Sequence, residues 1–346
     1  MPPLRAILSA AVICLCFAPV PGHADWLEDA RAAFGAGDDA TALSLITPMA
    51  EAGDADALNA LAVLALSGRG VAQDDVRARR LFTQAVEAGN LGALYNLALM
   101  MERGRGGPRD IPGAIATYRR AIAAGQAAAT INLGMLYLTG AEGLSPDPAA
   151  AVAAYELGTE MGDGLATAKL ADLLSDGDPS VPDDTDRAVT LYHLAFARGE
   201  AEALTALADM YWDGEGVAQD LSEAQRLLRM AAEAGVPSAL SSLGFMEANG
   251  LLGPADLVAA ADLFGQAARL GLANGGWNLA SVLLLSESPV YDPLEGYAWC
   301  YWALVRETDP ERQARYEASC IELPDSLTDA DVEMIATRTE ELLASY

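Results

Sequence analysis

The sequence is poor in the residues that most catalytic and metal sites require. Its 346 residues include only two histidines, four cysteines and a single lysine, Lys169. Beyond residue 24 the one histidine is His193, which excludes histidine-based triads and histidine-ligated metal sites there. The cysteines are too few for a cysteine zinc site. We therefore expect no catalytic residues, no metal site, no cofactor and no enzymatic activity.

Basic residues are scarce relative to acidic ones. Lysine and arginine together number 21 against 49 aspartates and glutamates, which gives a formal net charge of −28. This balance argues against nucleic acid, which requires a basic surface, and against anionic lipid surfaces. Solvated helix faces are the simplest explanation of the acidity, and a cationic partner is the alternative.

Long hydrophobic runs are absent except at the amino terminus. Residues 1–24 place Arg5 before an apolar run and end in small residues at Ala24, a pattern that predicts a secretory signal peptide cleaved after Ala24. Cys14 and Cys16 lack the small preceding residue that a lipid-attachment site needs. We expect no membrane span in the rest of the chain and a periplasmic or secreted protein.

A glycine recurs along the chain every 36 or 37 residues and starts a constant frame. A leucine stands eight residues after each glycine, and small residues stand four and nine residues after it. The glycines are Gly53, Gly89, Gly125, Gly162, Gly199, Gly235 and Gly271. The leucines are Leu61, Leu97, Leu133, Leu170, Leu207, Leu243 and Leu279. A fixed period in this range is typical of solenoids built from helix pairs.

Each period divides into two predicted helices, which we call helix A and helix B. In six of the seven repeats a second glycine, 15 residues into the frame, ends helix A, and Ser286 takes its place in the seventh. An aspartate then precedes each helix B, as expected of a helix N-cap. These aspartates are Asp74, Asp110, Asp147, Asp184, Asp220, Asp256 and Asp292.

The segments LGMLYLTG (133–140) and LADMYWDGEGVAQD (207–220) resemble the Sel1-like repeat, a relative of the tetratricopeptide repeat. The resemblance implies an all-α fold, an α/α solenoid of seven helix-turn-helix repeats in a right-handed superhelix. It also implies a non-enzymatic scaffold or adaptor, often in a cell-envelope assembly. Some cysteine-rich relatives in the family, with a cysteine pair in each repeat, are described as hydrolases that act on β-lactams, but this chain lacks those cysteines, so the resemblance does not extend to that activity.

The repeats divide the chain into four predicted regions. Residues 1–24 form the signal peptide, 25–52 form N-terminal capping helices, 53–306 hold seven repeats, and 307–346 form C-terminal capping helices. Cys300 and Cys320 lie on either side of a helix break near Pro310. They would meet in an oxidising compartment and form a disulfide, with two separate buried thiols as the alternative.

One face of helix A carries the candidate binding site. Positions 6, 10 and 13 after the frame glycine lie opposite the buried arc, and we call them the A face. In related solenoids helix A lines the concave surface. The A face holds Tyr95, Leu99, Ile131, Met135, Leu138, Trp212, Phe245 and Trp277, with Glu102, Asp172 and Asp209 among them.

Large apolar groups on an otherwise solvated face predict a surface that binds a protein or peptide. One alternative is a binder of cell-wall glycan or exopolysaccharide, in which Trp212 and Trp277 would stack on sugars. Another is a tightly curved solenoid that buries the A face against itself.

Overall fold

The computed structural model describes residues 24–175, 180–320, 324 and 326–346, and in these ranges the chain is helical. The one β pairing in them is an isolated bridge between Ala141 and Leu144. The first nine helices are α1 Ala24–Gly35, α2 Asp39–Glu51, α3 Ala55–Ser67, α4 Asp75–Glu87, α5 Leu94–Arg103, α6 Ile111–Ala123, α7 Ala128–Thr139, α8 Pro148–Glu160 and α9 Gly164–Ser175. The others are α10 Thr185–Ala197, α11 Ala203–Asp213, α12 Leu221–Glu233, α13 Pro237–Asn249, α14 Leu257–Arg269, α15 Ala273–Leu283, α16 Pro293–Arg306, α17 Pro310–Cys320 and α18 Asp329–Ser345. The predicted all-α fold is confirmed.

Helix boundaries follow the predicted caps. All seven predicted aspartates are N-caps, and each accepts a hydrogen bond from a backbone N–H in the first turn of its helix B. Such a cap stabilises a helix by about 1 kcal/mol. Gly68, Gly104, Gly214 and Gly250 end four of the A helices in the left-handed conformation. Gly177 lies outside the described residues.

The seventh repeat ends its helix A differently. Helix α15 stops at Leu283, and Leu284 closes it in the right-handed conformation. No glycine is present to adopt a left-handed turn at position 15, where Ser286 stands. The helix therefore ends two residues closer to its frame glycine than α3, α5 and α7 do.

The leucine frame forms the core. All seven frame leucines are buried, as are the small residues four and nine positions after each frame glycine. The small residues have a steric role, because a Cβ atom added at Gly244 would lie 2.8 Å from the Phe264 ring of the following helix B. The sequence pattern of one large and two small residues thus sets how closely the helices pack.

The chain divides into two compact units, and within each unit the repeats stack in the same way. The first unit covers 24–173 and 180–182 of the described residues, and the second covers 174–175 and 183–346. In the first, α4 packs on α5 and α6 on α7. In the second, α12 packs on α13 and α14 on α15. Helix A also contacts the next helix A, as in the pairs α5–α7 and α13–α15.

Additional helices flank the repeats in each unit. Trp26 and Phe34 of α1 lie partly buried against the core of the first repeat. At the other end, α17 and α18 both pack on α16. A disulfide joins Cys300 of α16 to Cys320 of α17, with 5.8 Å between the Cα atoms, which confirms the predicted pairing.

Candidate functional site

The A-face residues named above lie on α5, α7 and α9 in the first unit and on α11, α13 and α15 in the second. None of the predicted binding residues is buried, and Met135 and Phe245 are 44% and 49% exposed. Those of the first unit are Tyr95, Leu99, Ile131 and Met135. Those of the second are Trp212, Phe245 and Trp277.

In the first unit, the polar groups of the A face are engaged by neighbouring side chains. The hydroxyl of Tyr118, on α6, donates a 2.6 Å hydrogen bond to Glu102. Burial raises the pKa of Tyr118 well above its usual range, and the hydrogen bond to Glu102 raises it further. The amide of Asn132 donates to the hydroxyl of Tyr95 over 2.9 Å. This part of the face is closed by internal hydrogen bonds.

In the second unit, the A face forms a small cavity between α11 and α13. The rings of Trp212 and Phe245 meet there, with centroids 5.9 Å apart and an interplanar angle of 47°. The cavity has a volume of about 180 Å³. It is lined by Asp209, Trp212, Asp213, Ser242 and Phe245. Aromatic faces and carboxylates therefore surround the same space.

The two carboxylates of the cavity form no ion pair with the described residues. Across the described parts of the chain, no arginine, lysine or histidine forms an ion pair with Asp209 or Asp213. Loss of solvent contact raises the pKa of Asp209, and the negative charge of Asp213 raises it further. The cavity is thus a locally negative site whose charge the surrounding protein does not neutralise.

A hydrogen bond between successive A helices recurs at two other joints of the stack. At these joints, an asparagine seven residues after the frame glycine donates a side-chain hydrogen bond to the side chain at position 6 of the preceding repeat. Asn132 reaches Tyr95 in this way, and Asn278 reaches the hydroxyl of Ser241 over 3.1 Å. The bond fills the space between adjacent A helices.

The cavity lies at a joint where this hydrogen bond is not made. Position 7 is Ser242 here, and its side chain is shorter than that of asparagine. Position 6 of the preceding repeat is Thr205, whose Oγ1 is buried without a hydrogen-bond partner in the described residues. Ser242 does not bridge to Thr205, and it lines the cavity beside Trp212 and Phe245.

Trp277 has a partner that the repeat pattern does not include. Its ring stacks on Tyr316 of α17, with centroids 4.4 Å apart and an interplanar angle of 13°. Tyr316 is fully buried and donates a 3.2 Å hydrogen bond to Asn274. One face of Trp277 is therefore covered by the C-terminal helices.

His193 lies exposed on α10. The described residues contain no group of three or more histidines, cysteines or acidic residues placed to hold a metal ion. Within the described ranges, no helix has the length and apolar character needed to cross a bilayer.

A comparison with protein families identifies the repeat. The family model of the Sel1 repeat matches residues 55–90, 92–126, 127–163, 164–200, 201–236 and 237–272. The chain belongs to the Sel1 repeat family. The six matches coincide with the first six frame repeats, and the helix pair α15–α16 follows them.

Solved structures of Sel1 repeat proteins share the fold. A Sel1 repeat protein from Oxalobacter formigenes is 27% identical over 70% of this chain and 99% of its own, with a TM-score of 0.59. The protective antigen c5321 of uropathogenic Escherichia coli, described as having an SLR fold, is 20% identical over 92% of this chain and 78% of its own, with a TM-score of 0.50.

A more distant likeness extends to yeast Tom70. It is 14% identical over 95% of this chain and 69% of its own, with a TM-score of 0.54, and this likeness shows the fold alone. The comparison with curated proteins finds no match. Sel1 and tetratricopeptide-like repeat proteins typically serve as protein-interaction scaffolds, and the Sel1 repeat is generally a non-enzymatic fold.

Proposed function

We propose that this Sel1 repeat chain is an exported, non-enzymatic scaffold. It binds a protein or peptide on its A face and belongs to a cell-envelope assembly. The contact between Trp212 and Phe245 carries the proposal. Two large rings lie together beside unpaired carboxylates, and Phe245 is 49% exposed. Aromatic anchors with polar neighbours are typical of the energetic centres of protein interfaces.

The energetics favour a partner over a solvated surface. Full burial of a phenylalanine side chain is worth about 1.5–3 kcal/mol, so leaving the Phe245 ring in water forgoes much of that stabilisation. A partner that covers Phe245 and Trp212 would recover it. Met135, 44% exposed on α7, offers a second apolar contact in the first unit.

Glycan binding is the less well supported alternative. It requires Trp212 and Trp277 as stacking platforms for sugars. The ring of Trp277 already stacks on Tyr316, so one of its faces is occupied. A glycan array would nevertheless identify a sugar ligand directly.

A pull-down from envelope extract tests the proposed function. The bait is the mature protein, and the variant is Trp212→Ala with Phe245→Ala. The matched control is Val258→Ala, which removes an apolar group that is 53% exposed on helix B α14. We expect the double variant to lose the captured protein with unchanged helicity by circular dichroism, and the control to retain it. Equal capture by all three proteins would overturn the proposal.

Export is the second part of the proposal. The Cys300–Cys320 disulfide supports it, because disulfides persist in oxidising compartments. The predicted signal peptide lies almost wholly outside the described residues. Mass spectrometry of the native protein should find Asp25 as the first residue and no free thiols before reduction. An intact Met1, or a lipid on Cys14 or Cys16, would contradict cleavage after Ala24.

The regional division is part of the same proposal. Helices α1 and α2 would cap the first repeat, and α17 and α18 the last. The helix pair α15–α16 would be a seventh repeat that has lost its turn glycine. Solenoids need such end helices, since each repeat buries its apolar face only against its neighbours.

A further inference from the structure

We propose that the cavity between α11 and α13 binds the guanidinium group of an arginine side chain presented by the partner peptide. The inference rests on the proposed function, because it names the chemical group that the A face recognises. The residues that carry it are Trp212, Phe245, Asp209 and Asp213. Together they offer two aromatic rings and two carboxylates to one group.

The size of the cavity fits a single side chain. Pockets for whole small molecules measure roughly 300–1,000 Å³. This cavity measures about 180 Å³ and lies between two adjacent helices. A single side chain projecting from an extended peptide is therefore a better match than a free metabolite.

The chemistry of the lining selects a planar cation. A cation is attracted to an aromatic face within about 6 Å of the ring centroid. The centroids of Trp212 and Phe245 are 5.9 Å apart, which leaves no room for a guanidinium between the rings, but a cation that lies beside the tilted pair can be within that distance of both centroids. A guanidinium stacks on aromatic rings, is weakly hydrated and donates several hydrogen bonds to carboxylates, whereas an ammonium is strongly hydrated. Arginine is therefore favoured over lysine.

The protein leaves the charge of this site uncompensated, although it pairs other acids in the same unit. Glu223 is paired with Arg226, and Glu295 with Arg338. Helices α11 and α13, in contrast, contain no basic residue. The surrounding excess of acidic groups adds to the attraction for a cationic partner.

The like charges of the site give it a further reason to bind a cation. Asp209 is exposed, and partial burial and the nearby charge of Asp213 both raise the pKa of its carboxyl. A guanidinium in the cavity would offset both effects. Thr205, whose hydroxyl oxygen is buried without a described partner, lies one turn before Asp209 on the same face.

Selection from a random peptide library displayed on phage tests the inference. The target is the mature wild-type protein, and peptides are retained only if their binding is lost on Trp212→Ala. We expect the retained peptides to be enriched in arginine. Each is then synthesised with its arginine replaced by citrulline, which keeps the shape and removes the charge. The citrulline form should bind roughly tenfold more weakly or worse.

Variants of the protein test whether Asp209 and Asp213 are the groups that recognise the arginine of the peptide. Asp209→Asn and Asp213→Asn should each weaken binding of the arginine peptide and leave binding of the citrulline peptide unchanged. Asp262→Asn removes the same charge from an exposed position on α14 and should change neither. The comparison of wild-type affinities for the two peptides does not depend on any variant folding.

The outcomes separate the two proposals. Retained peptides without arginine enrichment, or equal affinity for the arginine and citrulline forms, would overturn the arginine site and leave peptide binding standing. Failure to select any peptide that needs Trp212 would overturn peptide binding on this face, and the arginine site with it.

Discussion

The polar groups of the A face are hydrogen-bonded within the protein on α5 and α7 of the first unit but lack ion-pair partners among the described residues on α11 and α13 of the second, although both helix pairs are built on the same repeat frame. On α5 and α7, Glu102 accepts a hydrogen bond from Tyr118, and Asn132 bridges to Tyr95. On α11 and α13, Asp209 and Asp213 have no ion-pair partner among the described residues. The frame therefore sets the helices, and a few side chains outside it decide whether their surface can accept a ligand.

Two positions differ between the joints. At the α11–α13 joint Ser242 stands at position 7 of the frame, where the α5–α7 joint has Asn132, and the bridge to the preceding helix A is not made. The helix B residue that follows is also different, because buried Leu228 stands where the first unit has Tyr118. A leucine has no hydroxyl to donate, so helix α12 offers no counterpart of the Tyr118–Glu102 hydrogen bond at this position.

The largest predicted effect tests whether the two units share a scaffold. Leu133→Ala and Leu207→Ala each delete a buried frame leucine, 3% and 0% exposed. Loss of a buried leucine typically costs about 2–5 kcal/mol. We expect both variants to lose local stability in that range, measured by hydrogen exchange of the affected unit.

Exposed leucines provide the control for this pair. Leu157→Ala in the first unit and Leu270→Ala in the second remove side chains that are 45% and 55% exposed. These variants should exchange nearly as the wild type does. A frame variant that behaved like its exposed control would show that the frame is misplaced in that unit.

A smaller effect tests the closure of the first unit. Tyr118→Phe removes the hydroxyl that donates to Glu102, and hydrogen bonds to charged groups are worth about 1.5–3 kcal/mol. We expect a loss of that order in urea unfolding. The control is Tyr155→Phe at the corresponding position of the next repeat, where the hydroxyl is buried without a described partner.

Removing the Tyr155 hydroxyl should be neutral or stabilising, because a buried polar group without a hydrogen bond is itself unfavourable. Burial also raises the pKa of Tyr155 to about 12, as expected of a hydroxyl with little access to water. Equal losses for the two variants would mean that the Glu102 contact does not close the face.

The fold was predictable because its determinants are local. Aspartate N-caps, glycine turns and a leucine at a constant position act within one helix or one turn, so a repeated pattern suffices to place them. The A face followed from helical periodicity, which correctly selected Trp212 and Phe245 as residues that are not buried. The turn of the seventh repeat departed from the pattern where its glycine was missing.

The cavity was not predictable in full, because it depends on how two helices meet. Asp213 and Ser242 lie at positions 14 and 7, outside the arc chosen from a single helical wheel. They face the rings only because α11 and α13 are adjacent. Tyr316, which covers Trp277, comes from a helix beyond the repeats. Thr205 and Ser242 form an unbridged position 6–7 pair, but Ile131 and Lys169 do so at another joint, so this pattern alone does not locate the cavity.

The smallest predicted effect on stability gives the sharpest test of the comparison, because its sign should differ between the units. The pKa of Asp209 is raised in the folded protein, so folding disfavours the charged form of this carboxyl. The resulting loss of stability is fully present above the folded pKa. It vanishes as the pH falls below the ordinary value near 3.8, because the carboxyl is then protonated in both states. Asp209→Asn should therefore raise the urea midpoint slightly at pH 7 and match the wild type near pH 3. Glu102→Gln should lower the midpoint at pH 7, because a neutral amide is a weaker acceptor for the Tyr118 hydroxyl. Shifts of the same sign at pH 7 would show that the second unit is not the open counterpart of the first.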